Sequence, residues 1–581
     1  MRRIRIATIL LAVALVGGVP AGAARGAEND AALVIATGTG FVDRSGREVV
    51  LRGFNVSGEV KLAERGLLPF SDAADARRSA LAMRDLAGAN AVRFLLSWAA
   101  AEPTRGQVDA AYLRKVAEQA AVFADLGFSV FFDFHQDLYS RYLFNADSWY
   151  TGDGAPAWVV ALGNYPRESC GICVQWGQNI TQNAAVQSAT YDFWHNAYGV
   201  QDAFLNQANS VLTYLRTHFT GAQFAHVVGF DPVNEPYAGR YDSGQDSRTW
   251  ERDVLLPFYQ RFRAVMDAAG WADRPAFVEP NMFWNGNLQQ QAGGFLDSAG
   301  LGSRFVFNTH FYDQKAISGV FMWGKATDGH LSADFATIRQ RAAALGVPAI
   351  VTEFGHPLTG YTSDKAPSVD KAMYQGLDSS VPGAQWWTRP ADSGPVLSGT
   401  QWHWDLYSGR HAEAMNGSPN KVQVDGDAWN GEDFSSMALD GTGQPALRQD
   451  ARLLDRVYPA AVAGHTRAFT YEDRSRDGST TMTWNPVPAT LPSLSTLVGA
   501  NRYAVLVWSG RAGNTELQLP AGFQPTVVSD VSSTVDGRRL LLASAPGTHY
   551  AVVTDAGAPT AALLAAAKNE LAAWVAAKFT A

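Results

Sequence analysis

Cysteine is scarce in this chain, and stripes of basic residues and long apolar runs beyond the N-terminus are missing. The two cysteines stand together in Cys170-Gly-Ile-Cys173. A zinc site there lacks its other ligands, and a redox site lacks a thioredoxin-like βαβ context. The net charge of −8 without a basic stripe argues against a nucleic-acid-binding protein. The acidic residues are too dispersed for a metal cluster, so no metal and no cofactor is expected.

The N-terminus carries the pattern of a secretory signal peptide. Arginines at positions 2, 3 and 5 precede an apolar run over 6–19, and small residues follow at 21–24 with the spacing of a cleavage site. The run is short for a membrane span. We therefore expect residues 1–26 to form a signal peptide and the protein to be secreted and extracellular. The two cysteines are then expected to form a small structural disulfide in a loop.

The composition indicates a globular protein with a large core. Hydrophobic residues make up 47% of the chain and charged residues 18%, which is ordinary for a globular fold. The seventeen tryptophans favour a protein that binds sugar rings or apolar ligands, although most of them can equally belong to the core. At 581 residues the chain is too long for one compact unit, but a barrel with long loops accounts for most of it.

Two short apolar runs each end in a glutamate. The run at 227–236 reads Val-Val-Gly-Phe-Asp-Pro-Val-Asn-Glu-Pro, with Asn234 and Glu235 at its end. Proline cannot continue a sheet ladder, so the strand stops where the carboxylate stands. The run at 348–355 repeats this plan and carries Glu353. In a parallel α/β barrel the carboxyl ends of the strands carry the chemistry, so the two glutamates suit carboxylate-pair catalysis.

Strand signals alternate with helical periodicity over residues 32–460, which predicts an α/β fold of the (β/α)8 TIM barrel type. The predicted strands lie at 48–55, 91–96, 128–132, 227–231, 276–278, 305–310, 349–352 and about 400–404, and helices at 74–86, 110–126 and 200–218. Polar residues gather at the ends of these strands, so we place the active site at the carboxyl face. The aromatic-rich stretch 139–190 has little periodicity and is expected to overhang the mouth.

The pattern of residues changes after residue 460. Short alternating runs at 467–471, 480–484, 502–507, 540–542 and 549–553 are separated by turn residues, which predicts a C-terminal antiparallel β-sandwich over 465–556. Residues 557–581 are rich in alanine and predict a terminal helix, with Leu564, Leu571, Trp574 and Phe579 on one face. Packing on the sandwich is the expected role of that face, and contact with a lipid surface is the alternative.

A pair of carboxylates on barrel strands suits glycoside hydrolysis, in which one group protonates the leaving oxygen and the other attacks the anomeric carbon. Glu235, beside Asn234, is the predicted acid/base, and Asn234 is expected to reach the sugar 2-hydroxyl. Glu353 is the predicted nucleophile, kept ionised by Arg93 and Tyr312. In these roles Glu235 must have the higher pKa of the two glutamates.

Together these residues resemble glycoside hydrolase family 5, the resemblance covering about residues 35–460. It rests on Arg93, Asn234-Glu235-Pro236, His310-Phe311-Tyr312, Glu353 and a tryptophan on strand eight, in this order. The resemblance implies a retaining (β/α)8 enzyme in which an indole at the end of strand eight forms the floor of the −1 subsite. Trp402 fits best, Trp404 shares its strand face, and Trp386-Trp387 precede an uncertain loop.

A finer resemblance is to the endoglycoceramidases within that family. It rests on Asp133-Phe134-His135-Gln136-Asp137-Leu138-Tyr139-Ser140, on Asn416-Gly417-Ser418-Pro419-Asn420-Lys421, and on Asp427-Ala428-Trp429-Asn430. These enzymes cut the β-glycosidic bond between an oligosaccharide and ceramide, so the resemblance implies a glycosphingolipid substrate. It also implies that Lys61, His135 and Asp137 contact the glycone.

Two other interpretations remain open from the sequence. An endo-β-glucanase or related family 5 glycosidase acting on a soluble glycan would use the same glutamates in an open aromatic cleft. A glycan-binding barrel without activity would not need both glutamates together with Asn234, Arg93 and Tyr312. A ceramide substrate instead requires an apolar groove, which we expect in the loops after strands six to eight.

Overall fold

The computed structural model of the protein describes residues 32–579 except 39, 57, 64–65, 146–147, 149, 170–175, 288–292, 299, 405–432, 476–483 and 485. Several predictions therefore lie outside the described residues. They are the signal peptide, the Cys170–Cys173 disulfide, the motifs at 416–421 and 427–430, and most of the strand at 480–484.

Eight parallel strands close into a barrel, as the alternating pattern predicts. They are β4 (Arg52–Val56), β5 (Ala91–Ser97), β6 (Ser129–His135), β7 (Val227–Asp231), β8 (Ala276–Val278), β9 (Phe305–Phe311), β10 (Ala349–Phe354) and β11 (Ser398–Gln401). Each strand pairs with the next in chain order, and β11 pairs with β4 to close the ring. At Gly53 a Cβ would lie 1.8 Å from the Ala91 carbonyl oxygen, so only glycine allows this close approach of two strands.

The first helix of the barrel begins and ends at ordinary sequence signals. Asp72 accepts hydrogen bonds from the backbone N–H groups of Ala74 and Asp75 and starts α1. Gly88 ends that helix in the left-handed region, at φ 62°. The helices over the first half are α1 (Ala73–Ala87), α2 (Trp98–Ala101), α3 (Ala110–Asp125), α4 (Ala157–Gly163), α5 (Asn179–Gln182), α6 (Ala184–Trp194), α7 (Val200–His218) and α8 (Gly221–Ala225). Those that follow are α9 (Ser247–Trp250), α10 (Leu256–Ala268), α11 (Gln314–Ser318), α12 (Ser332–Leu345), α13 (Ala366–Asp378), α14 (Gly383–Trp386), α15 (Ala451–Leu454), α16 (Pro492–Val498) and α17 (Ala561–Phe579).

The barrel interior changes from apolar at the bottom to charged at the top. The bottom layer consists of Leu51, Ala91, Phe131, Val228, Phe277, Val306 and Ile350. Phe41, from a hairpin before the first barrel strand, packs against this layer with its ring 6.5 Å from that of Phe277. The next layer holds buried polar groups that include Arg93 and Asp133. Among the described residues, this arrangement closes the bottom of the barrel and leaves its polar groups toward the carboxyl face.

The strands outside the barrel form two larger antiparallel sheets and a small hairpin. They are β1 (Val34–Thr37), β2 (Gly40–Asp43), β3 (Glu48–Val49), β12 (Met437–Leu439), β13 (Pro445–Leu447), β14 (Tyr458–Val462), β15 (Gly464–Glu472), β16 (Tyr503–Gly510), β17 (Gly513–Gln518), β18 (Thr526–Ser529), β19 (Ser533–Asp536), β20 (Arg539–Ser544) and β21 (Gly547–Thr554). The seven-stranded sheet has the order β1-β2-β3-β14-β17-β20-β19, and the four-stranded sheet has the order β15-β16-β21-β18. The predicted antiparallel C-terminal region is thus confirmed.

The N-terminal strands differ from the prediction. We expected one strand over 48–55 within the barrel, but β3 ends at Val49 and β4 begins at Arg52. The first piece pairs with β14, where Val49 lies opposite Ala461. The described residues thus first contribute strands to the C-terminal sheet and then enter the barrel. The sequence signal was one continuous apolar run, and its division depends on a partner strand about 400 residues away.

The stretch 139–190 is more regular than its sequence suggests, because α4, α5 and part of α6 lie within it. Ala185, Ala189 and Phe193 of α6 are buried, but alanines at these positions give a weak apolar signal. The prediction of a loop without periodicity was wrong for this part.

The terminal helix α17 packs as predicted, with Leu571, Trp574 and Phe579 buried. Its Trp574 indole N–H donates to the Trp387 carbonyl oxygen over 2.9 Å and the ring stacks on Trp386. Its apolar face is therefore not available to a lipid surface. Within the described residues, no helix combines the length and apolar character that crossing a membrane needs.

Candidate active site

The two predicted catalytic glutamates meet at the carboxyl face of the barrel. Glu353 is buried in β10, and Glu235 follows β7 with its side chain 14% exposed. A carboxylate oxygen of each and a ring nitrogen of His310 all lie within 4.8 Å of one another. The two carboxylates are therefore close enough to act on one group bound between them.

Arg93 is the cation around which the site is built. It is fully buried in β5, and its guanidinium forms an ion pair with Glu353. The same group donates to the side-chain oxygens of Asn234 over 3.0 Å and Asn55 over 3.1 Å. Tyr312 donates its phenol O–H to the other Glu353 oxygen over 2.9 Å. Glu353 is therefore held by two donors, and Asn234 is oriented by the same arginine.

The environments of the two glutamates separate their pKa values. Burial opposes ionisation of Glu353, yet the positive charges of His310 and Arg93 lower its pKa below the ordinary value. Burial raises the pKa of Glu235, the hydrogen bond with His310 offsets part of the rise, and the Glu353 charge adds to it. The order is the one expected for an ionised nucleophile and a protonated acid.

Glu235 is held in an unusual backbone conformation. Its φ of 45° lies in the left-handed region, which costs a non-glycine residue about 1–3 kcal/mol. Its backbone N–H donates to Glu279 over 3.3 Å, and His310 Nδ1 lies 3.0 Å from its carboxylate. Although burial disfavours the charged ring, Glu279 and Glu353 raise the pKa of His310 well above normal. His310 is therefore a cation between the two glutamates and Glu279.

The predicted sugar-contacting residues Lys61, His135 and Asp137 form a second cluster. Lys61 Nζ lies 2.8 Å from Asp137 Oδ2, and His135 Nε2 lies 3.2 Å from the same oxygen. Burial opposes protonation of the His135 ring, but the charge of Asp137 and the hydrogen bond with Asp133 raise the pKa of His135 to about 10. The cluster thus presents two positive groups and a carboxylate, which suit the hydroxyl groups of a sugar. We name it the polar cluster.

The structure separates the tryptophans that the sequence left as alternatives. Trp402 lies parallel to the His135 ring at 5.3 Å, and Lys61 Nζ is 4.4 Å from its centroid. Trp404 instead packs on Phe54 at 4.8 Å within the core. Trp386 and Trp387 are buried against α17. Of these four, only Trp402 is joined to the polar cluster.

Sequence reasoning missed several buried acids and amides of the site. Carboxyl oxygens of Asp133 and Asp231 lie 3.0 and 2.9 Å from the Arg93 guanidinium. Asn308 donates to Asp231 over 2.8 Å. Asp153, from the long loop, accepts a hydrogen bond from the Asp137 backbone N–H. Asp133 was visible in its motif, but nothing in the sequence marks Asp153 as buried.

Glu235, His310 and Glu353 are close enough to hold a divalent cation. A metal ligand must be neutral imidazole, whereas Glu279 and Glu353 favour the protonated ring of His310 by raising its pKa. Arg93 already neutralises Glu353. These groups therefore fit a site without a metal, which stays a prediction.

Comparison with known proteins identifies the class of enzyme. Residues 42–390 match the model of the family described as Cellulase (glycosyl hydrolase family 5), which is more than half of the 581 residues. Together with the barrel and its paired glutamates, the match makes this chain a glycoside hydrolase. It belongs to glycosyl hydrolase family 5.

The sequence relatives are similar to it over different lengths. Endoglycoceramidase I of Rhodococcus hoagii (strain 103S) is 24% identical over 541 residues, which cover 90% of each chain. Glucosylceramidase of Aspergillus fumigatus is 27% identical over 252 residues, 35% of this chain and 32% of that protein. The second match thus spans about a third of its relative. The predicted resemblance to endoglycoceramidases is confirmed by the first.

Solved structures show the same architecture. Endogalactoceramidase has a TM-score of 0.61 at 23% identity, with 90% of this chain and all of that chain covered. The ganglioside GM3 complex of endo-glycoceramidase II from Rhodococcus sp. has a TM-score of 0.60 at 23% identity, covering 89% and 99%. Sterylglucosidase 1 of Cryptococcus neoformans reaches 0.65 at 14% identity, covering 90% and 98%. At these identities the likeness concerns the fold.

Proposed function

We propose that this enzyme is a retaining endo-glycosidase that releases the oligosaccharide of glycosphingolipids from ceramide. The observation that carries the mechanism is the pair of glutamate oxygens within 4.8 Å of each other. Retaining glycosidases hold their carboxyl groups about 5–5.5 Å apart, while inverting enzymes leave about 6.5–9.5 Å for a water molecule. The opposite pKa shifts support the proposed roles of Glu353 as nucleophile and Glu235 as acid/base.

The reaction has two displacement steps. A Glu353 oxygen attacks the anomeric carbon, the glycosidic bond breaks, and its electron pair goes to the leaving oxygen, which takes the proton of Glu235. The alcohol, ceramide, departs and leaves a glycosyl ester on Glu353. Glu235, now a carboxylate beside the cationic His310, removes a proton from water. The water oxygen attacks the same carbon, the ester bond breaks, and the sugar leaves with its original configuration.

The polar cluster and Trp402 support binding of the glycone. Lys61, His135 and Asp137 offer charged donors and an acceptor on one side of the glutamates. Trp402 stacks on the His135 ring and lies under Lys61 Nζ, so its indole belongs to the same proposed sugar-binding group. Asn234, fixed by Arg93, is the group expected to reach the 2-hydroxyl of the sugar that is cleaved.

An exposed apolar surface supports a lipid aglycone. Four large side chains on the loops after β9 and β10 are open to solvent, namely Val320 (61%), Phe321 (61%), Trp323 (89%) and Tyr361 (69%). We call this surface the apolar rim. The Tyr361 O–H donates to the Ser318 carbonyl over 2.7 Å, and a Cβ on Gly319 would lie 2.5 Å from its ring. Tyr361 is thus packed on the segment that directly precedes Val320, which brings the two loops together.

We propose that the apolar rim contacts the bilayer in which the substrate resides. Its loops follow β9, which ends directly before Tyr312, and β10, which carries Glu353. Aromatic residues are favoured at membrane interfaces, and exposed apolar patches mark such contacts. The endoglycoceramidase relative that aligns over 90% of both chains also supports a glycolipid substrate.

The test compares one oligosaccharide carried on ceramide, on a short alkyl chain and on another sugar. Burying half of a lipid chain at about 0.8 kcal/mol per methylene contributes several kcal/mol, so we expect the ceramide substrate to have the highest kcat/KM. Equal values for all three would leave a general family 5 glycosidase acting on soluble glycans, which is the alternative function.

We also propose that the protein is exported and that Cys170 and Cys173 are oxidised. The signal-peptide pattern at 1–26 supports this proposal. N-terminal sequencing of protein recovered from the culture medium should give a start near residue 27. A start at Met1, or protein found solely inside the cells, would contradict export.

A further inference from the structure

A second layer of structure lies behind the polar cluster. The segment 150–155 of the long loop is buried and packs against the backbone of 137–140. The Ala155 N–H donates to the Tyr139 carbonyl over 2.7 Å. A Cβ on Gly152 would lie 2.8–3.0 Å from three carbonyl oxygens of 137–140. The close fit indicates that this segment fixes the position of the backbone that carries Asp137.

Asp153 makes a reciprocal contact with Asp137. The Asp153 backbone N–H donates to the Asp137 carbonyl over 2.8 Å, and the Asp137 N–H donates to Asp153 Oδ1 over 3.1 Å. Asp137 Oδ2 in turn binds Lys61 and His135. The other carboxyl oxygen of Asp153, Oδ2, is buried and has no hydrogen-bond partner among the described residues. An ionised carboxylate in that position would leave one oxygen without a donor.

The surrounding charges explain why the neutral form is favoured. Burial raises the pKa of Asp153 to about 7, the Asp137 charge adds to the rise, and nearby cations limit it. The titratable groups that face Asp153 are Asp137, His135, Lys61, Arg141 and Tyr237. Burial opposes ionisation of Asp137, but Lys61 and His135 hold its pKa far below normal. Below pH 7 one charged and one neutral carboxyl therefore lie side by side, and above pH 7 both are charged.

We infer that Asp153 is a positioning residue, which as a neutral acid holds Asp137 against Lys61 and His135 and on ionising weakens sugar binding. The inference rests on the proposed function, because it assumes that the polar cluster binds the glycone. The repulsion acts first on Asp137, since its backbone contacts Asp153 and its charge raises the pKa of the Asp153 carboxyl. Asp153 does not touch the reacting atoms, so its effect belongs to binding and not to bond cleavage.

The test measures the inhibition constant of lactose against an aryl β-lactoside between pH 5.5 and 8.5. For the wild type we expect the constant to rise at least fivefold across pH 7. Asp153→Asn keeps the shape and the Oδ1 acceptor without a charge, so its constant should stay flat within twofold. Asp153→Ala removes the acceptor and should weaken lactose binding at least tenfold at every pH. Its kcat should change less than threefold. If Asp153→Ala does not fold, the asparagine variant still decides the question.

Two controls separate this inference from the proposed function. Asp370 is also a buried acid, and burial raises its pKa to about 8, but it bonds to Gln449 outside the site. Asp370→Asn should keep the wild-type pH dependence. If Asp137→Asn leaves lactose binding unchanged, the polar cluster is not the sugar site and the proposed assignment is wrong. If Asp137→Asn weakens lactose binding while the inhibition constant of Asp153→Asn still rises across pH 7 as in the wild type, only the inference about Asp153 is overturned.

Discussion

At the scale of single residues, Arg93 determines what each glutamate can do. Its guanidinium is fully buried and contacts Glu353, Asn234, Asp231 and Asp133. One cation therefore favours ionisation of Glu353, the proposed nucleophile, and orients the amide beside Glu235, the proposed acid/base. The second cation, His310, lies between Glu235 and Glu279.

Removing either catalytic carboxylate should abolish turnover without unfolding the protein. We expect Glu353→Gln and Glu235→Gln to lose at least about a thousandfold in kcat, which is about 4 kcal/mol of transition-state stabilisation. Circular dichroism should match the wild type. Azide should react with the Glu353→Ala variant to give a glycosyl azide of inverted configuration. Glu118→Gln, on the exposed side of α3, is the control, and a fully active Glu353→Ala would contradict the mechanism.

The pH profile should report the two glutamates separately. The proposed mechanism requires ionised Glu353, whose pKa is lowered, and protonated Glu235, whose pKa is raised, so kcat/KM should fall at both ends of the pH range. Tyr312→Phe removes a donor to Glu353. The pKa of Glu353 then rises, so the acidic limb of the profile moves to higher pH. A hydrogen bond to a charged group contributes about 1.5–3 kcal/mol, which is the stabilisation that ionised Glu353 should lose. Tyr198→Phe is a surface control, and an unmoved acidic limb in Tyr312→Phe would assign that limb to another group.

At the scale of elements, the sequence predicted the barrel because each strand ends in a local signal. The apolar runs before Glu235 and Glu353 became β7 and β10, and both glutamates lie where those strands end. Trp402 and Trp404 could not be separated, because their environments depend on the register of β11 against β4. The burial of Asp153 was equally hidden, since its contacts come from a loop that folds back on the β6 end.

The apolar rim gives a prediction about the loops after β9 and β10. The double variant Phe321→Ser and Trp323→Ser removes two exposed rings that would each contribute about 1.5–3 kcal/mol if buried in lipid. We expect at least tenfold slower hydrolysis of a glycolipid in phosphatidylcholine vesicles and an unchanged rate on a soluble aryl β-lactoside. Val535→Ser, at a 54% exposed position of β19, is the matched control. Equal losses on both substrates would indicate a damaged active site instead of lost bilayer contact.

At the scale of the whole molecule, the barrel and the C-terminal sheets share a buried network of charges. Arg456 lies 3.1 Å from Asp378 of α13 and 2.7 Å from Asp473, which follows β15. Asp378 also pairs with Arg52 of β4 at 3.0 Å. Lys371 of α13 pairs with Glu472 at 3.0 Å. Since the N-terminal strands also join the seven-stranded sheet, the two parts are connected by strand pairing and by ions.

This connection predicts that the two parts unfold together and that Arg456 is critical for stability. Arg456→Met leaves Asp378 and Asp473 with less compensation in a buried place, and breaking a buried pair in this way costs about 3–5 kcal/mol. We expect one calorimetric transition for the wild type and one transition at lower temperature for the variant. Arg539→Met, whose partner Asp536 is 61% exposed, should change stability by about 1 kcal/mol or less. Two separate transitions in the wild type would show that the sheets fold independently of the barrel. Equal effects of the two variants would show that the network does not hold the two parts together.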